Sequence, residues 1–139
     1  MIARILLAAG ALIFLVLGTM HLAYTFFSDK FLPRDQGIKE GMEKTNPVLT
    51  RRTTMWNAWI GFNASHSSGA MFIGGINLIM AVSYFDIYGQ STGLQLLNIL
   101  TAFFYLFLAR RYWLNIPFRG VLLATICFTA SSLILFFYP

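Results

Sequence analysis

Charge is what this chain has least of, and its distribution matters more than its amount. Charged side chains make up 11% of the 139 residues, against about 25% in a soluble domain. None occurs from Thr53 to Phe85, and three further runs, Ile5–Ser28, Ile87–Ala109 and Gly120–Pro139, are equally free of charge. Each reaches the roughly 20 residues that a helix needs to cross a bilayer. Four spans consume nearly the whole chain, which excludes a separate soluble catalytic module. Cysteine is almost absent too. Cys127 stands alone, so neither an intramolecular disulfide nor CxxC exchange chemistry is available, and a small packing role fits it best. The spans hold no carboxylate, and a catalytic zinc site normally uses three protein ligands. No metal site is expected. A proton or ion path lacks its usual Asp, Glu, Lys and Arg relays. A serine hydrolase lacks an acid to orient its base.

What is present is apolar and basic. Hydrophobic residues reach 58%, the mean hydropathy is +0.68 and the net charge is +5. Nucleic acid is not the implied partner, because Lys30, Arg34, Lys39 and Lys44 alternate with Asp29, Asp35, Glu40 and Glu43. The surplus fits membrane orientation instead. Lys30, Arg34, Lys39, Lys44, Arg51, Arg52, Arg110, Arg111 and Arg119 all fall in the connections after the first and third spans, and only Arg4 lies opposite. By the positive-inside rule both connections are cytoplasmic and both ends of the chain are not. The expected setting is a multi-pass protein of the bacterial inner (cytoplasmic) membrane, with the lipid bilayer as its first partner. The N-terminal run is longer than a signal-peptide core and has no A-x-A-like site, so it reads as a retained helix.

The expected fold is all-α: a four-helix transmembrane bundle in one domain, 1–139. The spans are about 5–27, 56–84, 94–113 and 117–138, with a polar loop over 28–55. Within that loop Asp35–Lys44 suits a short surface helix. Asn46-Pro47 looks like a helix start, which would make Val48–Met55 an extension of the second span, with Trp56 and Trp59 at headgroup level. Asp86–Gly93 reads as a short turn, and Asn115-Ile116-Pro117 as the start of the fourth span. Each span has one small or polar face. These are Gly18, His21 and Thr25; Asn63, His66, Ala70, Gly74 and Asn77; Gln95, Asn98, Ala102, Tyr105 and Ala109; and Gly120, Ala124, Cys127 and Ser131. Gly61, Ser65 and Gly69 form a second stripe, while Leu78 is expected toward lipid. Such faces let helices pack closely.

Depth along the helices brings His21, Asn63, His66, Tyr105 and Cys127 to one layer on the positively charged side. Four readings of that layer stand. The histidines can be structural, bonding neighbouring helices or a contact within a larger membrane complex. With Asn63 and Tyr105, they can hold a hydrophobic small molecule, lipid- or quinone-like, by hydrogen bonds to its polar atom. They can be the axial ligands of a haem in a small redox subunit, although small-residue packing leaves little room for a porphyrin. Finally, they can belong to a membrane enzyme acting on a lipid or quinone.

The string Trp56-Asn-Ala-Trp-Ile-Gly-Phe-Asn-Ala-Ser-His-Ser-Ser-Gly69, with Gly18-Thr-Met-His21-Leu, resembles a group of small, uncharacterised bacterial membrane proteins with a GFNxSHSxG motif. The resemblance covers most of the chain and implies four spans, with no activity, cofactor or partner attached. In size and span number the chain is also similar to DoxX-like membrane proteins.

Overall fold

The computed structural model describes residues 1–137, so the expected end of the last span at Tyr138 lies outside the described residues. The described chain is all-helical, without a strand. Its elements are α1 (Ile2–Phe27), α2 (Gln36–Lys44), α3 (Met55–Ser83), α4 (Phe85–Gln90), α5 (Thr92–Tyr112) and α6 (Asn115–Phe137). Among the described residues α1, α5 and α6 are long and apolar enough to cross a membrane. Helix α3, with 29 residues, has the length. Its Asn, Ser and His content keeps it out of that set.

Helix limits follow local chemistry. Asp35 takes the N-cap of α2 and its side chain accepts from the Gly37 N–H at 2.8 Å, a bond that satisfies one of the free amides of a first turn. Thr54 does the same for α3, accepting from Asn57 N–H at 3.2 Å. The expected helix start at Asn46-Pro47 is corrected. Asn46 instead donates from Nδ2 to the carbonyls of Thr53, 2.7 Å, and Arg51, 3.5 Å. The Met55 N–H reaches back to the Thr45 carbonyl at 2.8 Å. These bonds close residues 45–55 into a loop, and Val48 and Leu49 stand fully exposed on it. The turn expected at Asp86–Gly93 overlaps the six-residue α4, which starts one residue earlier, at Phe85. Gln95 Nε2 donates to the carbonyls of Tyr88 and Gly89 at its end, and Ser91 caps α5. Pro117 lies in the first turn of α6, where a missing N–H costs nothing.

The chain divides into two compact units: Met1–Leu17 with Ala70 onward, and Gly18–Gly69. The first has a core of Leu7, Ala11, Phe14, Ala70, Ala81, Ala102, Val121, Ala124 and Phe128. Helices α1 and α3 run antiparallel there: Arg4 Nε and Nη2 donate to the carbonyls of Ala81 and Val82, while Gly74 lies against Ala11 and Leu15. A Cβ built on Gly74 would stand 2.5 Å from Leu15 N and 2.7 Å from Ala11 O. Only glycine permits backbones that close. Likewise, a Cβ on Gly10 would stand 2.6 Å from the Phe128 ring. Phe14 packs between Tyr105 and Phe128, at 5.4 and 5.8 Å between ring centroids. Ser131 on α6 donates to the Ala3 carbonyl at 2.8 Å.

A buried polar chain joins four helices of this unit. Asn77 Nδ2 donates to Asn98 Oδ1 at 2.9 Å, Asn98 Nδ2 donates to the Tyr88 hydroxyl at 3.2 Å, and that hydroxyl lies 3.4 Å from Ser132 Oγ. All four residues are buried. None of the residues expected on the small faces is exposed. Two other expectations fail. Gly61 and Ser65 of the second stripe are exposed, with nothing within 4 Å of a Cβ on Gly61. Leu78 packs against the core rather than pointing outward.

Candidate functional site

The second unit, Gly18–Gly69, holds three of the four expected site residues together. His21 lies in the last two turns of α1, and Asn63 and His66 lie one turn apart on α3. His21 Nε2 is 3.0 Å from Asn63 Oδ1, and the His21 and His66 rings meet edge to face, 5.4 Å between centroids at 70°. That separation is direct ring contact. Asn63 is itself fixed: its Nδ2 donates to the Trp59 carbonyl at 2.8 Å, and its own carbonyl accepts from Ser67 Oγ at 2.7 Å. On the other helix of the pair, Thr25 Oγ1 donates to the His21 carbonyl at 2.8 Å.

A fourth member, Phe31, had no sequence signal of its own. Its ring lies 4.5 Å from that of His21, tilted by 34°. The loop after α1 brings it there. Ser28 Oγ donates to the Tyr24 carbonyl and accepts from Lys30 N–H, and Leu32 N–H donates to the Asp29 carbonyl. This tight turn folds the chain back over the helix end. Tyr24 stands 6.4 Å from Phe31, and Lys30 Nζ sits 4.3 Å above the Tyr24 ring. The cluster thus has an aromatic wall with a cation at its margin. Lys39 of α2 lies 5.3 Å over Trp56, which puts α2 beside the start of α3.

Tyr105 belongs to the first unit, where its ring packs on Phe14 and on Trp113, 6.0 Å away. Cys127 is also there, buried on α6. The serines flanking His66 are engaged with their own helix. Ser65 donates to the Phe62 carbonyl at 3.1 Å and Ser68 to that of Ala64 at 3.0 Å. Such back-bonding explains how so polar a stretch stays helical.

Haem can be tested against the donors. Axial ligation uses a ring nitrogen lone pair on each side of a macrocycle. Here the two rings touch, with no slab between them, and His21 Nε2 faces Asn63. The pair does not fit a haem held between His21 and His66. No group of three or more His, Cys, Asp or Glu that could hold a metal ion occurs among the described residues.

The two polar clusters differ in one respect. Asn77, Asn98, Tyr88 and Ser132 are sealed, whereas His21, Asn63 and His66 are each only half-buried. Compared with known proteins, the chain matches no family model, no curated protein and no solved structure.

Proposed function

We propose that this chain is a four-span protein of the bacterial inner membrane, and that His21, Asn63 and His66 bind a hydrophobic small molecule of the lipid or quinone class through its polar atom. Helix α3 is the fourth span. It carries no charged side chain, its Ser65, Ser67 and Ser68 bond back to its own backbone, and at about 1.5 Å per residue it exceeds the ~30 Å hydrocarbon thickness. The four spans pack as a bundle through their small faces. The distribution of Lys and Arg puts the 28–55 connection in the cytoplasm and both ends of the chain outside.

The observation that carries the binding reading is the half-exposure of the histidine cluster. A polar cluster that serves only as glue is best sealed and saturated, as the asparagine network is, because unsatisfied polar atoms facing hydrocarbon are costly. A cluster left open at membrane depth has capacity for a ligand atom. Phe31 and Tyr24 supply the apolar wall such a ligand needs. Tyr105 is not required by this reading.

The test is retention. Protein extracted into nanodiscs with native lipid is washed, extracted with organic solvent and read by mass spectrometry. A stoichiometric amphiphile is expected with the native chain, and its loss with His21→Ala and with His66→Ala. An absorption spectrum of the same sample is expected to lack a Soret band. Retention unchanged in both variants would sink the proposal.

One observation favours a second reading, a contact within a larger membrane complex. Gly61, Ser65 and Ser68 are exposed along one side of α3, and small residues suit close approach of another helix. Crosslinking through a cysteine at Ser65 in native membranes tests it; a chain that crosslinks to nothing argues against it.

A further inference from the structure

The hydrogen-bond pattern around Asn63 sets the tautomer of His21. An asparagine amide has one end that only donates and one that only accepts. Nδ2 of Asn63 is committed to the Trp59 carbonyl; flipping the amide would set two oxygens against each other. Oδ1 therefore faces His21, and the hydrogen between them must come from His21 Nε2. No acidic side chain forms an ion pair with His21 among the described residues. A ligand bound from hydrocarbon meets the neutral ring, because an unpaired charge away from water is expensive. A neutral imidazole with its hydrogen on Nε2 carries a lone pair on Nδ1.

That Nδ1 has no hydrogen-bond partner among the described residues, since the ring's one bond is to Asn63. It is not a sealed orphan either. Thr129 Oγ1 is the one buried side-chain oxygen or nitrogen without a partner among them. His21 thus offers an accessible acceptor, and it does so beside the Phe31 ring.

We infer that the molecule held at His21 presents a hydroxyl hydrogen to Nδ1, so that an apolar hydroquinone or alcohol binds in preference to the corresponding carbonyl compound. This rests on the binding reading above and sharpens it. A carbonyl oxygen and the Nδ1 lone pair would repel, and shifting the hydrogen to Nδ1 would break the bond to Asn63. The shared chemistry is a hydroxyl donor on an apolar body; its source is either a ring or an aliphatic chain.

The experiment uses full-length protein in nanodiscs under anaerobic conditions, with tryptophan fluorescence as the readout. Four probes share one decyl tail: a hydroquinone, its quinone, its dimethyl ether and decanol. The hydroquinone is expected to bind at least tenfold more tightly than the quinone and the ether. Decanol binding as tightly as the hydroquinone would retain the donor rule and assign the source to an aliphatic alcohol. Quinone binding equal to or tighter than hydroquinone would overturn the inference while leaving the site intact. No binding of any probe would end the binding reading and the inference together. Two variants isolate the tautomer. Asn63→Ala releases Nε2 and should weaken every probe, and the hydroquinone preference should fall to within about twofold of unity. Asn63→Asp sets a carboxylate against Nε2, which favours the charged ring with a hydrogen on Nδ1 as well, so the preference should be lost or reversed toward the quinone. A tenfold preference that survives Asn63→Ala would also overturn the inference. Nitrogen NMR of ring-labelled histidine provides an independent check, because His21 must show its hydrogen on Nε2.

Discussion

At the scale of single residues, the same side-chain types serve opposite ends according to how far they are sealed. Asn98 is buried and bonded on both sides, to Asn77 and to Tyr88. Replacing it with Leu takes one partner from the Asn77 amide, which keeps the Ile73 carbonyl, and one from the Tyr88 hydroxyl, which keeps Ser132; each buried bond lost costs about 0.5–1.5 kcal/mol. Asn98→Leu should therefore lower the thermal midpoint in detergent clearly, with retained amphiphile unaffected. His21 and His66 should behave in the reverse manner. Each alanine variant should lose the amphiphile, and the double variant should be little worse than either, since residues acting as one unit are not additive. Phe31→Ala should weaken retention about three- to tenfold, the scale of one aromatic contact. The histidines were legible in the sequence because the chain has two and both fall on the polar faces of expected spans. Phe31 was not legible, since one Phe among 14 gains its meaning only from a turn made by Ser28 and Asp29.

At the scale of elements, the α1–α3 pair is set by a glycine. Gly74→Leu would drive a side chain into the backbone of Ala11 and Leu15, and the cost should reach at least the ~1–3 kcal/mol of ordinary overpacking. The neighbouring Gly75 has nothing within 4 Å of a built Cβ. Gly75→Ala should be neutral or stabilise by up to ~1 kcal/mol, the ordinary gain of alanine over glycine in a helix. Melting curves of the two variants make the comparison, and equal destabilisation would contradict the packing described. Periodicity made the primary faces legible, because small residues at helical spacing have to meet something. It could not distinguish the Gly61 stripe from the Gly74 stripe, since both have the same composition and only one meets a neighbour. Asn46-Pro47 misled for a related reason. A cap and a loop closure use the same side-chain amide, and the carbonyls of Arg51 and Thr53 won.

At the scale of the whole molecule, the proposed orientation puts the 45–55 loop in the cytoplasm. Val48 stands fully exposed on the closed 45–55 loop. In inverted and right-side-out vesicles, Val48→Cys should react with a membrane-impermeant maleimide only in the inverted ones, with Cys127 replaced by Ser as background. Labelling from the outer face would overturn the topology and leave the helices unchanged. All-helical architecture was legible because charge-free runs of this length have few other folds open to them. The fate of α3 was less so. Its polar residues lower its affinity for lipid, and the proposal that it spans relies on their bonds to its own backbone and to other helices.

Arg4 and the end of α3 meet across 77 residues of chain. During synthesis the guanidinium emerges before the Ala81 and Val82 carbonyls and waits for them. A basic group at that end of a helix complements the negative pole of its dipole, so the late closure fastens the third helix at its far end. The order of manufacture is thereby written into the clamp. A nascent chain arrested with Ala81 and Val82 still enclosed by the ribosome keeps an unsatisfied cation at Arg4, and quality-control proteases should remove it faster than one arrested with both residues well clear of it. Pulse-chase decay of the two arrested lengths measures the difference. With Arg4→Gln the two lifetimes should converge.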